Sequence, residues 1–211
     1  MKGKFIVLEG LDVTGKSSTL NEIKNLLNED STIVFTREPG GLDDKFNENL
    51  RELILNNSDD IDPLTEAYLF ASDRANHTRK INKLLEYGKT VICDRYVYSS
   101  LFYQGAMNGL QPKTIFDINK PAINSLHPDM IIYFVASDDA KKERMNKKTD
   151  INKYDEDVLR VNSTGATIEF LNLIHGFKPR KTKVEIIDTS FTTSDEAAEK
   201  MLQILTDNKY I

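Results

Sequence analysis

A glycine-rich stretch near the start of the sequence has the residue types and the spacing of a phosphate-binding loop. Residues 10–17 match the pattern G-x-x-x-x-G-K-[S/T] and directly follow the apolar run at residues 5–8. In such a loop, backbone N–H groups surround phosphate oxygens, the lysine contacts the β- and γ-phosphates, and the hydroxyl binds Mg²⁺. A chance glycine turn is the alternative, and the flanking strand and helix patterns argue against it. The stretch predicts an ATP-binding loop that consists of Gly10, Leu11, Asp12, Val13, Thr14, Gly15, Lys16, Ser17 and Ser18.

Charged residues follow two further apolar runs of the sequence. Residues 36–41 read Thr-Arg-Glu-Pro-Gly-Gly, and residues 94–96 read Asp-Arg-Tyr. A single arginine here would be read as a solvated loop charge, but two arginines beside a phosphate-binding loop favour an anionic second substrate. Asp94 stands where a carboxylate can complete a Mg²⁺ site with Ser17, and a simple strand-end cap is the alternative.

Two pairs of residues four positions apart have the chemistry of a nucleobase site. Phe70 with Arg74, and Ser100 with Gln104, each share one face if their segments are helical. A flat aromatic ring beside a guanidinium and an amide offers stacking together with hydrogen bonds to base edges. Packing of Phe70 into an apolar core is an equally good interpretation, so the residues alone leave both open.

The elements that must position these residues alternate between strands and helices. Near-continuous apolar runs predict strands that are buried on both faces, at residues 5–8, 32–35, 91–93, 130–135 and 184–187. Helical signals separate them: the stripe Leu20, Ile23, Leu26 and Leu27, a helix start at Asp62-Pro63, and a capping box of Thr193 and Glu196. This alternation predicts a parallel sheet covered on both sides, with ligands bound at the carboxyl ends of its strands.

The bulk composition limits the classes of function. The 211 residues carry 28 Lys and Arg against 33 Asp and Glu, a net charge of −5, which argues against sequence-independent nucleic-acid binding. We find no run of about 18 apolar residues and no signal peptide, and so expect a cytoplasmic protein that does not bind membranes. The one cysteine, Cys93, lies in an apolar run and is expected to be a core residue. The histidines lack the spacing of zinc ligands, so no zinc site is expected.

Taken together, these residues resemble the thymidylate kinase family of P-loop nucleoside monophosphate kinases. The matching segments are residues 5–10, 36–41, 69–72 with Arg74, 94–96 and 99–105, and the similarity covers residues 3 to about 136. The resemblance implies an α/β fold of the P-loop NTPase type: three layers, with a five-stranded parallel sheet surrounded by helices and a short lid. It further implies a single domain over residues 1–211, a homodimer, and ATP-dependent phosphorylation of dTMP to dTDP.

The resemblance also implies a role for each matching residue. The acceptor dTMP would be bound by Asp12, Arg37, Glu38, Arg51, Phe70, Arg74, Arg95, Ser100, Tyr103 and Gln104. Within this set, Asp12 would take the 3′-hydroxyl, the arginines at 37, 51 and 95 the phosphate, and Phe70 would stack on thymine. Arg74 and Gln104 would bind the polar edge of the base, and Tyr103 would exclude ribose. The Pro39 peptide would be cis, as in relatives.

The catalytic groups implied by the resemblance extend into a lid at about residues 144–157. They are Lys16, Arg95, Asp12, Arg144, Lys148 and Lys153. One solution in this family for the charge on the leaving group is an arginine inside the phosphate-binding loop, but that position is Val13 here. The other solution is a set of lid arginines, two of which are replaced by lysines, which lack the planar fork of arginine.

The sequence departs from the family at two places whose roles it does not decide, and it leaves two alternative functions open. Asp73 puts a carboxylate beside the expected base pocket, where relatives often have a small polar residue, and residues 161–166 are poor in helix formers. The alternatives are a kinase for another deoxynucleotide or a deoxynucleoside, and a P-loop nucleotide-binding module with little turnover. A hydroxyl acceptor would require a carboxylate base and fewer arginines, which argues against a nucleoside kinase.

Overall fold

The fold is built on one parallel β-sheet. The computed structural model describes residues 2–27, 30–57, 61–147 and 163–211. Within these residues, five strands are hydrogen-bonded in the order β2-β3-β1-β4-β5, with all neighbours parallel. The strands are β1 (Phe5–Gly10), β2 (Ile33–Arg37), β3 (Thr90–Asp94), β4 (Met130–Val135) and β5 (Lys183–Asp188). The predicted sheet is therefore confirmed.

The strands differ in how far they are buried. Every residue of β1 is buried, and β3 and β4 are buried except at their last residues. Of β5, only Ile187 is buried, and of β2, only Ile33 and Thr36 are buried. The prediction that both faces are buried is thus wrong for β2 and β5. These two strands form the edges of the sheet, where fewer neighbouring elements cover the side chains.

Helices cover both faces of the sheet. They are α1 (Lys16–Leu26), α2 (Lys45–Asn56), α3 (Pro63–Glu86), α4 (Val97–Ser100), α5 (Pro112–Ile123), α6 (Asp138–Asn146), α7 (Ser163–Phe177) and α8 (Ser194–Asp207). Phe5 and Val7 pack with α3, α5 and α7, whereas Ile6 and Leu8 pack with α1 and α8. Side chains of one strand alternate between the two sheet faces, and this alternation gives the three layers that were predicted.

Local signals in the sequence set several helix ends. The side chain of Asp62 accepts hydrogen bonds from the N–H groups of Leu64 and Thr65, and Pro63 opens α3. Thr193 and Glu196 form both hydrogen bonds of a capping box at the start of α8. Both predicted helix starts are confirmed. Leu26 departs from the predicted apolar stripe of α1: its side chain is 55% exposed, since it lies in the last turn of the helix.

A π-helix interrupts the region that carries two predicted site residues. Residues Leu101–Met107 continue directly from α4 in this wider helical form and include Tyr103 and Gln104. Insertions of this type are rare and occur often at functional sites. A pattern based on the α-helical period does not detect one.

The region of the expected lid is described only in part. The structure describes Arg144 to Lys147, so Lys148, Lys153 and most of the predicted lid, 144–157, lie outside the described residues, as do residues 161 and 162. In the ranges that are described, no helix has the length and apolar character needed to cross a membrane.

Candidate active site

The phosphate-binding loop connects β1 to α1 and faces the carboxyl end of the sheet. Gly10 has a φ of 146°, and a Cβ atom at this position would lie 2.6 Å from the carbonyl oxygen of Phe134, so only glycine fits. Gly15 has a φ of 81°. Val13 has a φ of 62°, a conformation that β-branched residues rarely adopt. The predicted loop is therefore present. Its strained residue is Val13, the position at which some members of the resembled family have an arginine.

Lys16 and Asp94 meet at the floor of this loop. The Lys16 Nζ lies 3.3 Å from the Asp94 Oδ1, and the lysine is 5% exposed. Across the described residues, this Oδ1 is buried and accepts no hydrogen bond with good geometry. Ser17 lines both clefts beside it, one of which also contains Asp94. A buried carboxylate oxygen and a nearby hydroxyl are ligands that Mg²⁺ prefers, so these residues fit that ion.

Arg144 connects the loop to the end of β5. Its Nη1 donates to the Val13 carbonyl oxygen (3.3 Å) and to the Thr189 Oγ1 (3.0 Å), and its Nη2 donates to the Thr189 carbonyl oxygen (2.5 Å). The Thr189 hydroxyl in turn donates to the carbonyl oxygen of Thr14 at 2.7 Å. Arg144 therefore lies against the phosphate-binding loop, and Thr189, a residue that sequence reasoning missed, supports the same loop.

Asp12 and Arg95 form the centre of the site. The Arg95 Nη2 donates to the Asp12 Oδ1 at 2.5 Å, and the Tyr103 hydroxyl donates to the Asp12 Oδ2 at 2.9 Å. Burial alone would raise the pKa of the Asp12 carboxyl, but the charges of Arg95 and Lys16 outweigh it, and the pKa is lowered. Burial would lower the pKa of Arg95, yet the carboxylate of Asp12 holds it well above its usual range. Both groups are therefore charged at neutral pH.

Most of the residues predicted to bind the acceptor line a single pocket. It lies between the phosphate-binding loop, α2, α3 and the π-helix. Its predicted members are Asp12, Glu38, Arg51, Phe70, Arg74, Arg95, Ser100, Tyr103 and Gln104. Asp12 also lines the cleft of the phosphate-binding loop, so the two cavities adjoin at this residue. Phe70 is only half-buried and is not a member of the apolar core, which favours its interpretation as a stacking residue.

Arg74 is held from several sides at the wall of this pocket. It is 1% exposed; its Nε donates to the Glu38 Oε2 at 2.7 Å, its Nη2 to the Ser100 Oγ at 3.2 Å, and its Nη1 to Asn119. His77 lies behind it, with Nδ1 2.9 Å from the Glu38 Oε1. Glu38 therefore fixes Arg74 directly. Asn119 and His77 were not predicted here; the position of His77 three residues after Arg74 on α3 was the available signal for one of them.

Arg37 is not brought into the same pocket. Its Nη2 donates to both carboxylate oxygens of Glu48, at 3.0 and 2.9 Å, and about half of its side chain is exposed. It lines a neighbouring cleft that shares Arg51 with the acceptor pocket. Arg51 donates to the carbonyl oxygen of Pro39 at 2.9 Å, and the peptide bond before Pro39 is cis, as expected. Two of the three predicted phosphate arginines, Arg51 and Arg95, therefore share one pocket.

Asp73 faces the 38–41 loop rather than the pocket. Its Oδ1 accepts hydrogen bonds from the Gly40 N–H at 3.0 Å and from the Asn47 side chain at 2.6 Å, and the residue is fully buried. Its Oδ2 accepts no hydrogen bond from the described residues. Burial and the nearby charge of Glu38 raise the pKa of this carboxyl to about 6. Asp73 is therefore a structural link between α3, α2 and the loop.

Replacing Asp73 by asparagine is expected to make the protein relatively more stable at higher pH. The folded-state pKa is about 6, against 3.8 for the unfolded chain. Between these two pH values the unfolded chain releases the proton that folded Asp73 keeps, so the free energy of unfolding falls as the pH rises from about 4 and levels off above about 6. The difference in unfolding free energy, Asp73→Asn minus wild type, should increase by about 2 kcal/mol between pH 4.5 and 7.5. Urea unfolding at both pH values measures it, and a difference that does not change with pH would show that Asp73 has a normal pKa.

Comparisons with known proteins agree with the geometry of the site. The family model described as "Thymidylate kinase" matches residues 8–200. A thymidylate kinase of Ureaplasma parvum serovar 3 is 36% identical over 225 residues, which cover 100% of this chain and 94% of the relative.

Solved structures show the same fold. The chain is similar to the crystal structure of thymidylate kinase from Ehrlichia chaffeensis, with a TM-score of 0.71, 25% identity, and coverage of 98% of this chain and 100% of the other. It is similar in fold to the thymidylate kinase of Candida albicans, with a TM-score of 0.72, 20% identity, and coverage of 99% and 93%. The P-loop α/β fold expected from the sequence is confirmed.

Proposed function

The chain belongs to the thymidylate kinase family and phosphorylates dTMP, and we propose that ATP is the phosphate donor. We further propose that ATP binds in the cleft of the phosphate-binding loop and dTMP in the adjoining pocket. The observation that carries this proposal is the position of Asp12. It lines both the cleft of the phosphate-binding loop and the pocket that contains Phe70, and it is bound by Arg95. Two anionic substrates bound in these cavities would meet beside Asp12 and Arg95.

On the donor side, the phosphate-binding loop and Lys16 hold the phosphates of ATP. Backbone N–H groups of residues 10–18 and the N-terminus of α1 provide a positive environment, and Lys16 adds a full charge. Ser17 and Asp94 would hold Mg²⁺, which supplies charge neutralisation between the phosphates when it is bound. Arg144 fixes the Val13 carbonyl, so the loop keeps its shape. Lys148 and Lys153 are proposed to add positive charge from the lid.

On the acceptor side, this chain uses arginines rather than a general base. The acceptor atom is a phosphate oxygen, which is ionised near neutral pH and needs no proton removed, so positioning and charge stabilisation are the main requirements. Arg51 and Arg95 would hold that phosphate, Phe70 would stack on thymine, and Arg74 with Gln104 would bind the base edge, with Ser100 beside them. Arg37 is bound to Glu48 through Nη2 and lines the neighbouring cleft, so it would join the phosphate only by moving toward the acceptor pocket.

Two groups of this pocket have specific roles toward the sugar. Asp12 offers a carboxylate for the 3′-hydroxyl, and its lowered pKa keeps it an acceptor at neutral pH. Tyr103 donates to the same carboxylate and is 6% exposed, so its ring occupies a fixed place near the sugar. We propose that this ring excludes a 2′-hydroxyl.

The finer features of the protein follow from the family and the sequence. We propose one kinase domain over residues 1–211, a homodimer and a cytoplasmic location. The net charge of −5 supports the view that nucleic acid is not a partner.

A coupled assay of ADP formation tests the proposed donor and metal. With ATP, Mg²⁺ and dTMP, we expect turnover well above that with dUMP, dCMP, dGMP or thymidine, because only dTMP satisfies the base pocket and the phosphate arginines together. Removal of Mg²⁺ with EDTA should abolish turnover, and an excess of Mg²⁺ should restore it. Turnover with thymidine but not with dTMP would contradict the acceptor site, and full turnover in EDTA would contradict the metal site.

A further inference from the structure

Glu9 is a buried carboxylate that neither proposed site uses. It lies at the end of β1, directly before the phosphate-binding loop, and is 0% exposed. Its Oε1 accepts hydrogen bonds from the N–H groups of Tyr96 (3.0 Å) and Ser99 (3.3 Å), and its Oε2 accepts from the Ser99 hydroxyl at 2.6 Å. A buried charge is unfavourable unless it is well bound, so this arrangement requires a physical explanation.

The two residues that Glu9 holds, Tyr96 and Ser99, follow a strained arginine in the chain. Arg95 has a φ of 69°, in the left-handed region that residues other than glycine rarely adopt. Conformations of this kind persist only where the surroundings enforce them, and they concentrate at functional sites. The N–H of Tyr96, the next residue, is fixed by Glu9, and the N–H of Arg95 itself donates to the carbonyl oxygen of Leu8 at 2.9 Å. The end of β1 therefore determines the backbone of Arg95.

A second connection runs through side chains to the Arg95 guanidinium. The Arg95 Nη1 donates to the Ser99 Oγ at 2.9 Å and to the Gly10 carbonyl oxygen at 3.2 Å. The Ser99 hydroxyl donates its hydrogen bond to Glu9, and the lone pairs of its oxygen accept from Arg95. The hydrogen-bond chain Glu9–Ser99–Arg95–Asp12 thus connects a buried carboxylate to the place where the two substrates would meet.

We propose that Glu9 is a positioning residue for the acceptor phosphate, and that it aims the Arg95 guanidinium through Ser99. Glu9 itself touches neither substrate. This inference rests on the proposed function, in which Arg95 binds the phosphate of dTMP. Glutamine or a protonated glutamate at residue 9 would donate a hydrogen bond to the Ser99 Oγ, because its remaining acceptor oxygen is taken by the N–H groups of Tyr96 and Ser99. The serine hydroxyl then loses its acceptor and can rotate, and its oxygen must accept from two donors, so the contact with Arg95 is no longer held in one orientation.

The charge of Glu9 is sensitive to pH, which gives the proposal a specific signature. Burial raises the pKa of this carboxyl to about 7, although the Ser99 hydrogen bond and the charge of Arg95 oppose the rise. Several elements around Glu9 contribute ionisable groups that interact with it electrostatically. These groups are Lys16, Cys93, Arg95, Tyr98 and Tyr133. The phenols and the thiol have pKa values raised by burial and stay neutral, so Glu9 is the member of this group that titrates near neutral pH.

The experiment compares wild type with Glu9→Gln at pH 5.5 and 8.5. At pH 8.5, KM for dTMP should be about 5- to 10-fold higher in the variant, since one buried hydrogen bond to a charged group is lost. At pH 5.5, wild-type Glu9 is protonated and resembles glutamine, so the ratio of the two KM values should approach one. The titration of the dTMP phosphate cancels in this ratio. KM for ATP should change less than about twofold, since the donor site keeps its contacts.

Several results would overturn the inference. Equal KM values at pH 8.5, or a ratio that is raised equally at both pH values, would mean that Glu9 has no role or a purely structural one. Glu86→Gln, at an exposed position near the end of α3, is the matched control and should change nothing. If wild type does not phosphorylate dTMP, the proposed function is wrong. If wild type phosphorylates dTMP but the ratio of KM values does not fall toward one at pH 5.5, only the role of Glu9 is wrong.

Ser99→Ala provides a second measurement that does not depend on how well Glu9→Gln folds, and the two changes together give a double-mutant cycle. Ser99→Ala removes the connection between Glu9 and Arg95 while the Glu9 contact with the Tyr96 N–H stays. We expect Ser99→Ala alone to raise KM for dTMP at pH 8.5 and to have a smaller effect at pH 5.5, where wild-type Glu9 is protonated and its connection to Arg95 is already weakened. Adding Glu9→Gln to it should have no further effect at pH 8.5. Additive effects of the two changes would contradict a pathway through Ser99.

Discussion

Arg95→Lys is expected to lower kcat/KM for dTMP by about 100- to 1000-fold, the cost that is typical of losing one preorganised donor for transition-state charge. Arg95 uses three donors on Gly10, Ser99 and Asp12 and still has N–H groups for a phosphate oxygen. Lysine keeps the charge but cannot hold these contacts and the phosphate at once, because it lacks the planar fork. Steady-state kinetics with dTMP varied at saturating ATP measure the effect.

The control for this change separates lost chemistry from lost folding. Arg79→Lys makes the same exchange at an exposed position of α3, where the guanidinium donates to Asn76 alone among the residues that the structure describes, and kcat/KM should stay unchanged. The thermal midpoints of both variants should lie near that of wild type, since each keeps its positive charge. If Arg95→Lys retains full activity, the acceptor phosphate is held elsewhere, and Arg51 becomes the first candidate.

The centres of the strands could be predicted from the sequence, but their environments could not. Strand β4 matches its apolar run at both ends, and β1, β3 and β5 extend one or two residues beyond theirs. Strand β2 begins one residue later than its run and ends two residues later. Whether a strand lies at an edge depends on the order of the strands, which no local pattern contains, so the exposure of β5 was missed. The π-helix was missed for a related reason, because it departs from the period on which the pattern analysis depends.

The site was predictable where chemistry lies in one continuous motif. The phosphate-binding loop follows from spacing alone, and Phe70 with Arg74 from one helix face. Glu9 was not singled out, because the N–H groups that explain its burial come from Tyr96 and Ser99, 87 and 90 residues later. The partner of Arg37 is similarly decided by the packing of α2, which brings Glu48 to the end of β2. Contacts that depend on tertiary packing require the structure.

The second large effect is expected from Lys16→Met, which should lower kcat by about 1000-fold or more while ATP still binds. Lys16 is the buried cation of the phosphate-binding loop, and methionine matches its length without the charge. The backbone N–H groups and the N-terminus of α1 remain, so binding of ATP is weakened but retained. Phosphoryl transfer is lost because no fixed cation stabilises the negative charge that develops on the phosphates in the transition state. Rapid-quench kinetics measure the chemical step, and calorimetry with a non-hydrolysable ATP analogue measures binding.

Asp94 makes this prediction more specific, since its Oδ1 lies 3.3 Å from the Lys16 Nζ. In Lys16→Met that carboxylate loses its neighbouring cation, and a divalent ion can compensate for it. We therefore expect Mg²⁺ to raise the thermal midpoint of Lys16→Met more than that of wild type, even though activity is lost. Lys142→Met, at an exposed position of α6, should leave both properties unchanged. A loss of kcat below about tenfold would place the dominant phosphate cation outside the loop, with Arg95 or the lid lysines as its source.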